Sequence, residues 1–192
     1  GATGLDAHMP PWVQEGGFGA WRERLMDPDI RARVLEEMRT PTNEWENLGL
    51  AAGPEGIMVV GFRQDSLRYL TGRRLADIAA ERGMTPEDVA IDLVIHDSTR
   101  VGTVYFLMSE ENVKKQIALP WMAFDSDAGS MAPEGEVLNR NPHPRAYGNF
   151  ARLLGKYVRD EQVIPLEEAI RRLTRFPAEN LGVVNRGSLE SG

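Results

Sequence analysis

Apolar residues recur along this chain with two spacings, and the spacings mark out its elements. Ile30, Val34, Leu35 and Met38 follow one another at three- and four-residue intervals, the signature of one buried helix face. Asp27 and Pro28 precede them, a capping side chain and a proline at the first helical position, and Pro41 closes the run. A shorter helical stretch is predicted over 18–25. The segment before it, with Pro10-Pro11 and Gly16-Gly17, reads as loop. Ile57-Met58-Val59-Val60, set between Gly56 and Gly61, predicts a short strand. A helix over 75–82 is stopped by Gly83. Thr85-Pro86-Glu87-Asp88 opens the next, with a threonine cap and acids against the positive end of its dipole.

The second half gives the pattern that decides the fold class. Residues 101–108 (VGTVYFLM) form a nearly continuous apolar run. Ser109 caps a helix reaching to about residue 119, Pro120 ends it, and Trp121-Met122-Ala123-Phe124 is a second apolar run. Strand, helix of about ten residues and strand make a βαβ unit, which predicts an α/β fold with a parallel sheet. A longer amphipathic helix is expected over 146–161, with Phe150, Leu153, Leu154, Tyr157 and Val158 inward, and another over 165–174. An eight-stranded α/β barrel needs about 250 residues. With 192 residues and two or three barrel-type strands, such a barrel cannot close from this chain alone. The expected division is 1–41 as barrel segment, 42–95 as an inserted small α+β subdomain, and 96–192 as the last barrel units with C-terminal helices.

Composition narrows the function classes. The net charge is −7, with acids and bases interleaved, so no basic face is offered to nucleic acid or an anionic membrane. No apolar run approaches the roughly 20 residues that span a bilayer, and the cytoplasm is the expected location. The absence of cysteine removes disulfides and thiolate–metal sites. The opening Gly1-Ala2-Thr3-Gly4 and the closing Glu190-Ser191-Gly192 do not read as natural boundaries.

Candidate chemistry gathers behind the second apolar run, in Asp125-Ser126-Asp127. A carboxylate at the carboxyl end of a parallel strand faces the ligand crevice, where it can act as general base or metal ligand. The same acids equally suit a turn or a cap. Asn141-Pro142-His143-Pro144-Arg145 follows. Arg145 offers a planar fork suited to a carboxylate, or simply a solvated charge. His143, stiffened between prolines, suits either a site or a bond within its own loop. His96 is expected just past a helix end, where a partly charged imidazole favours the dipole. His8 is a weak ligand candidate, since no His-x-His or His-Glu-x-x-His spacing exists. Gly53-Pro54-Glu55-Gly56 reads as a turn. Trp12, Trp21, Trp45 and Trp121 read as packing residues of core or rim.

Five stretches carry a resemblance. YFLMSEENVKKQIALPWMAFDSDAG, NPHPRAYGNFARLLGKYVRDE and IPLEEAIRRLTRFPAENLGVVNRGSL are similar to the N-acyl-D-amino-acid deacylases (D-aminoacylases) of the amidohydrolase superfamily. GATGLDAHMPPW and LTGRRLADIAAERGMTPEDVAIDLV resemble that family's post-strand segment and inserted subdomain. The resemblance implies part of a (β/α)8, TIM-type barrel. In it Asp127 takes a proton from a zinc-bound water and delivers it to the leaving amine, in possible contact with the metal. Arg145 would grip the substrate carboxylate, with His143 beside it. Asp125 stands where the family often has glycine and takes no catalytic role. The family's histidine ligands have no counterpart here, so the resemblance implies zinc in the intact protein and an inactive, zinc-free fragment. It implies a small N-acyl amino acid as substrate, with cyclic amides or dipeptides as the alternative. A third reading is a non-catalytic remnant that pairs through open sheet edges.

Overall fold

The capping signals of the first half are realised in the computed structural model, which describes residues 2–135 and 141–189. The chain forms two units, Gly1–Leu107 and Met108–Gly192. The end readings at Gly1 and at Glu190-Ser191-Gly192 lie outside the described residues.

In the first unit, α1 (Gly17–Met26) leads into α2 (Pro28–Arg39). Asp27 Oδ1 caps α2, accepting from the Asp29 and Ile30 amides at 2.9 and 3.1 Å. Val34 and Met38 are buried along the predicted face, with Ile30 and Leu35 packed against the same core. Helix α3 (Leu48–Ala52) follows, capped by Asn47. Helix α4 (Leu75–Arg82) ends at Gly83, whose φ of +62° is the left-handed geometry that glycine adopts without strain. Helix α5 (Pro86–Asp97) is capped by Thr85. It buries Val89, Ala90, Ile91, Leu93 and Val94. Arg31 of α2 joins α5 through Asp88 and Asp92, both at 2.8 Å. The 42–95 stretch contributes to one core with the preceding helices, which runs from Leu5 to Tyr105.

The sheet departs from expectation. Strands β1 (Ala2–Gly4), β2 (Ile57–Gly61) and β3 (Gly102–Tyr105) lie in the order β1-β3-β2, with both pairings antiparallel. The opening residues, expected as loop, thus contribute a strand because β3 offers a free edge. Gly61 and Gly102 meet at a register shift; a Cβ on Gly102 would lie 3.1 Å from the Gly61 Cα. Residues 121–124 form no strand, so the parallel βαβ unit is not formed. An apolar run fixes burial, not pairing direction, and here the pairing partners came from far away in the chain. The described structure is mainly helical with a small antiparallel sheet.

Asp97 and His8 are among the polar side chains buried in the first unit. Asp97 is fully buried; its Oδ1 accepts from the Arg63 and Gln64 amides at 2.9 Å, and its Oδ2 from the Thr99 hydroxyl. His8, also buried, donates from Nδ1 to Asn47 Oδ1 at 2.9 Å. Burial lowers its pKa, and the Asn47 bond only partly opposes this.

The second unit holds α6 (Glu110–Ala118), capped by Ser109, then α7 (Arg145–Arg152), which runs on as a π-helix, Leu153–Asp160. Helices α8 (Leu166–Leu173) and α9 (Arg175–Asn180) follow. Ile117, Leu153, Tyr157, Ile164 and Ala169 form its core. Of the residues expected inward, Leu154 and Val158 pack against it, whereas Phe150 is 45% exposed. Trp21 is buried as expected. Trp121, read as a packing residue, is 65% exposed.

Candidate functional site

The second unit carries an open cavity of about 590 Å³. Val113, Ile117, Phe124 and Leu153 give it apolar walls, with Tyr157 beside them. Its polar lining comes from Asp125, His143, Arg145, Asn149 and Arg152. Helical spacing explains much of this set. Gly148, Asn149 and Arg152 lie three, four and seven residues after Arg145, so one face of α7 turns to the cavity.

Residues 119–124 carry the aspartates to this place. Phe124 packs on the core, and the Arg172 guanidinium lies 4.3 Å from its ring centroid. Arg172 Nε donates to the Met122 carbonyl and its Nη1 to the Ile117 carbonyl, both at 2.7 Å. Beyond Phe124, Asp125 turns on itself, its Oδ1 accepting from the Ser126 amide at 2.6 Å. The Asp125 carbonyl accepts from Asn149 Nδ2 at 2.7 Å. Asp127 follows with φ of +47°, a left-handed conformation that aspartate tolerates better than most side chains.

The three residues singled out in the sequence come together. Asp127 Oδ2 pairs with Arg145 Nη1 at 2.9 Å, the aspartate side chain being 84% exposed. His143 Nδ1 accepts the Arg145 backbone amide at 3.1 Å. That bond requires the nitrogen to be unprotonated, in keeping with a His143 pKa lowered by burial and by the Arg145 charge. Arg145 lines the cavity and Asp127 does not, so the ion pair sits on the cavity's solvent side. Arg152 is tethered, 3.6 Å from Glu110 and over the Tyr157 ring. The arrangement offers an acceptor for a proton, a fork for an anion and an apolar pocket beside them.

Asn149, Arg152 and the lining role of Asp125 went unrecognised in the sequence; the helical spacing from Arg145 was the signal available for the first two. His8 and His96 are not part of this cluster. His8 is a buried, hydrogen-bonded core residue, and His96 lies exposed in the last turn of α5 rather than beyond it. Among the described residues, no group of three or more His, Cys, Asp or Glu side chains could hold a metal ion. No helix among them is long and apolar enough to cross a membrane.

Comparison with known proteins shows what the chain is similar to. No protein-family model matches the chain. Over about two thirds of its length it is nevertheless similar to deacylases of N-acyl-D-amino acids, of which D-aminoacylase is described as an amidohydrolase. D-aminoacylase of Alcaligenes xylosoxydans xylosoxydans is 37% identical over 123 residues, 64% of this chain and 23% of that protein. N-acyl-D-glutamate deacylase of the same organism is 33% identical over 121 residues, 63% of this chain and 22% of that protein. The crystal structure of N-acyl-D-glutamate deacylase from Bordetella bronchiseptica, complexed with zinc and a phosphonate mimic of the tetrahedral intermediate, superposes with a TM-score of 0.60 at 32% identity. That match covers 76% of this chain and 28% of the other. The chain thus spans about a quarter of the length of the curated relatives it matches.

Proposed function

We propose that this chain is the C-terminal part of the (β/α)8 catalytic barrel of a zinc-dependent amidohydrolase that cleaves the amide bond of N-acyl-D-amino acids. In this reading 42–95 is an insert and 96–192 the last barrel units. The observation that carries it is the convergence of Asp127, Arg145 and His143 beside a cavity, in a chain related to deacylases. Phe106, Met108 and Trp121, 53%, 70% and 65% exposed, support a larger structure that covers them.

Asp127 is the general base and acid. Its carboxylate accepts a proton from the attacking water and returns it to the leaving nitrogen, which would otherwise depart as an amide anion. Arg145 receives the substrate α-carboxylate on its planar fork. That anion replaces Asp127 as the partner of Arg145 and frees the base for proton transfer. His143, held by the Arg145 amide, fixes the start of the helix that carries the arginine. Among the described residues no group of three or more His, Cys, Asp or Glu side chains could hold a zinc ion, so this reading takes the metal ligands from elsewhere.

The test is amine release from N-acetyl-D-amino acids. In a protein that supplies the metal ligands, Asp127→Asn lowers kcat by about 10²–10⁴-fold, and Arg145→Met mainly raises KM. Near-normal turnover of the first, or an unchanged KM in the second, rejects the assigned role. This chain alone releases no amine with or without zinc; zinc-dependent turnover by it would overturn the placement of the metal ligands elsewhere. The exposed apolar side chains and the position of β1 at the edge of the sheet also favour a non-catalytic reading, self-association. Concentration-dependent mass in light scattering supports it, and a monomer at all concentrations counts against it.

A further inference from the structure

We propose that Arg172 is a positioning residue: its guanidinium fastens residues 117–124 and thereby sets where Asp125 and Asp127 stand beside the cavity. The proposal rests on the role assigned to Asp127 above.

A guanidinium with no exposed surface is costly unless its donors are satisfied. The nearest carboxylate does not explain this one. Glu168 lies 4.0 Å from Arg172 Nε and is engaged by Arg171 through two bonds of 2.8 Å. Arg172 spends its charge on backbone instead. One bond reaches Ile117, a carbonyl of the last turn of α6 that the helix leaves without an internal partner. The other reaches Met122, five residues on and beyond Pro120. The guanidinium face covers Phe124, and the Phe124 amide donates back to the Arg172 carbonyl at 3.4 Å.

The segment so held has no ladder of its own. Residues 119–124 belong to no helix or strand, so a side chain supplies the restraint that a neighbouring strand would otherwise give. Asn149 holds the next carbonyl, that of Asp125. The path to Asp127 is therefore pinned from α8 on one side and from α7 on the other. A hydrophobic residue at 172 would fill the space, but only a planar fork addresses two carbonyls while stacking on a ring. Its Nη2, buried and without a hydrogen-bond partner, indicates that the fork is placed for those carbonyls rather than for its own full satisfaction.

The experiment is amide hydrogen exchange on the whole chain, comparing the wild type with Arg172→Met and Arg172→Lys, alongside the guanidinium resonances of Arg145. In Arg172→Met, exchange over 119–127 rises at least about tenfold while 110–118 and 145–160 keep their protection. The Arg145 resonances move toward those of free arginine as Asp127 leaves its side. Arg172→Lys, which retains the charge and one carbonyl bond, restores part of both signals. An equal rise across all helices would make Arg172 a core residue and nothing more. Unchanged exchange over 119–127, or unchanged Arg145 resonances, would overturn the proposal directly. Should Arg172→Met fail to fold, the same comparison with Arg172→Lys and with Phe124→Leu, which removes only the stacked ring, decides it. These measurements need no substrate, so they stand if Asp127→Asn leaves turnover intact, and their failure leaves the Asp127 test unaffected.

Discussion

Replacing Asp97 with alanine should be among the most damaging single changes in the first unit. Its carboxylate has no exposed surface and joins the end of α5 to residues 63 and 64 through two amide bonds of 2.9 Å. Alanine leaves both amides without their acceptor, at about 1–3 kcal/mol each, so a loss near 4 kcal/mol is expected. Asparagine keeps one oxygen for both amides but loses the charge assistance and the oxygen that accepts from the Thr99 hydroxyl. That costs about 2 kcal/mol, because hydrogen bonds to charged groups are roughly twice as strong as neutral ones. For a unit of this size the alanine loss corresponds to a fall in Tm of about 16 °C. Urea unfolding followed by tryptophan emission is a suitable assay, since Trp12, Trp21 and Trp45 all belong to the first unit. A loss below about 1 kcal/mol for Asp97→Ala, or equal losses for alanine and asparagine, would refute the reasoning.

Two further outcomes follow from the contact between His8 and Gly49. Because burial lowers the His8 pKa, the unfolded chain takes up the proton first. Stability from this group is full above about pH 6.5 and is lost as pH falls through the depressed folded value. His8→Gln flattens the change in urea midpoint between pH 8 and 5, and parallel profiles would contradict this. In Gly49→Ala the new Cβ falls inside the van der Waals envelope of the His8 ring. A loss of about 1–3 kcal/mol is expected, whereas Gly19→Ala, which meets nothing within 4 Å, loses none. Equal Tm values for the two variants would reject the packing argument.

Local chemistry was legible in the sequence wherever a cap or a stop is written in a few residues. Asp27-Pro28, Thr85-Pro86 and Gly83 mark boundaries that the structure keeps within a residue or two. Pairing was not legible. The run 101–108 does contain a strand, but only over Gly102–Tyr105, and its neighbours come from residues 2–4 and 57–61. Trp121-Met122-Ala123-Phe124 has a strand's composition, yet its backbone is taken by a buried arginine 50 residues away, which no periodicity announces. The grouping of Asp127, His143 and Arg145 was anticipated through the family resemblance; composition and spacing left each of them open. Asn149 and Arg152 were accessible through the turn of the helix that begins at Arg145.

The placement of β3 between β1 and β2 also bears on how the first unit comes into being. Ala2 pairs with Val104, so the central strand of the sheet is the last of the three to be synthesised. At a translation rate of about 5–20 residues per second, the opening strand waits roughly 5–20 s for its partner. Helices α1 to α5 can form in that interval, since their hydrogen bonds are local, whereas the sheet bears the entropy of closing a loop of about 100 residues. Until then the β1 edge is open to any other extended chain, which makes the interval before β3 arrives the nascent protein's period of greatest exposure to misassembly.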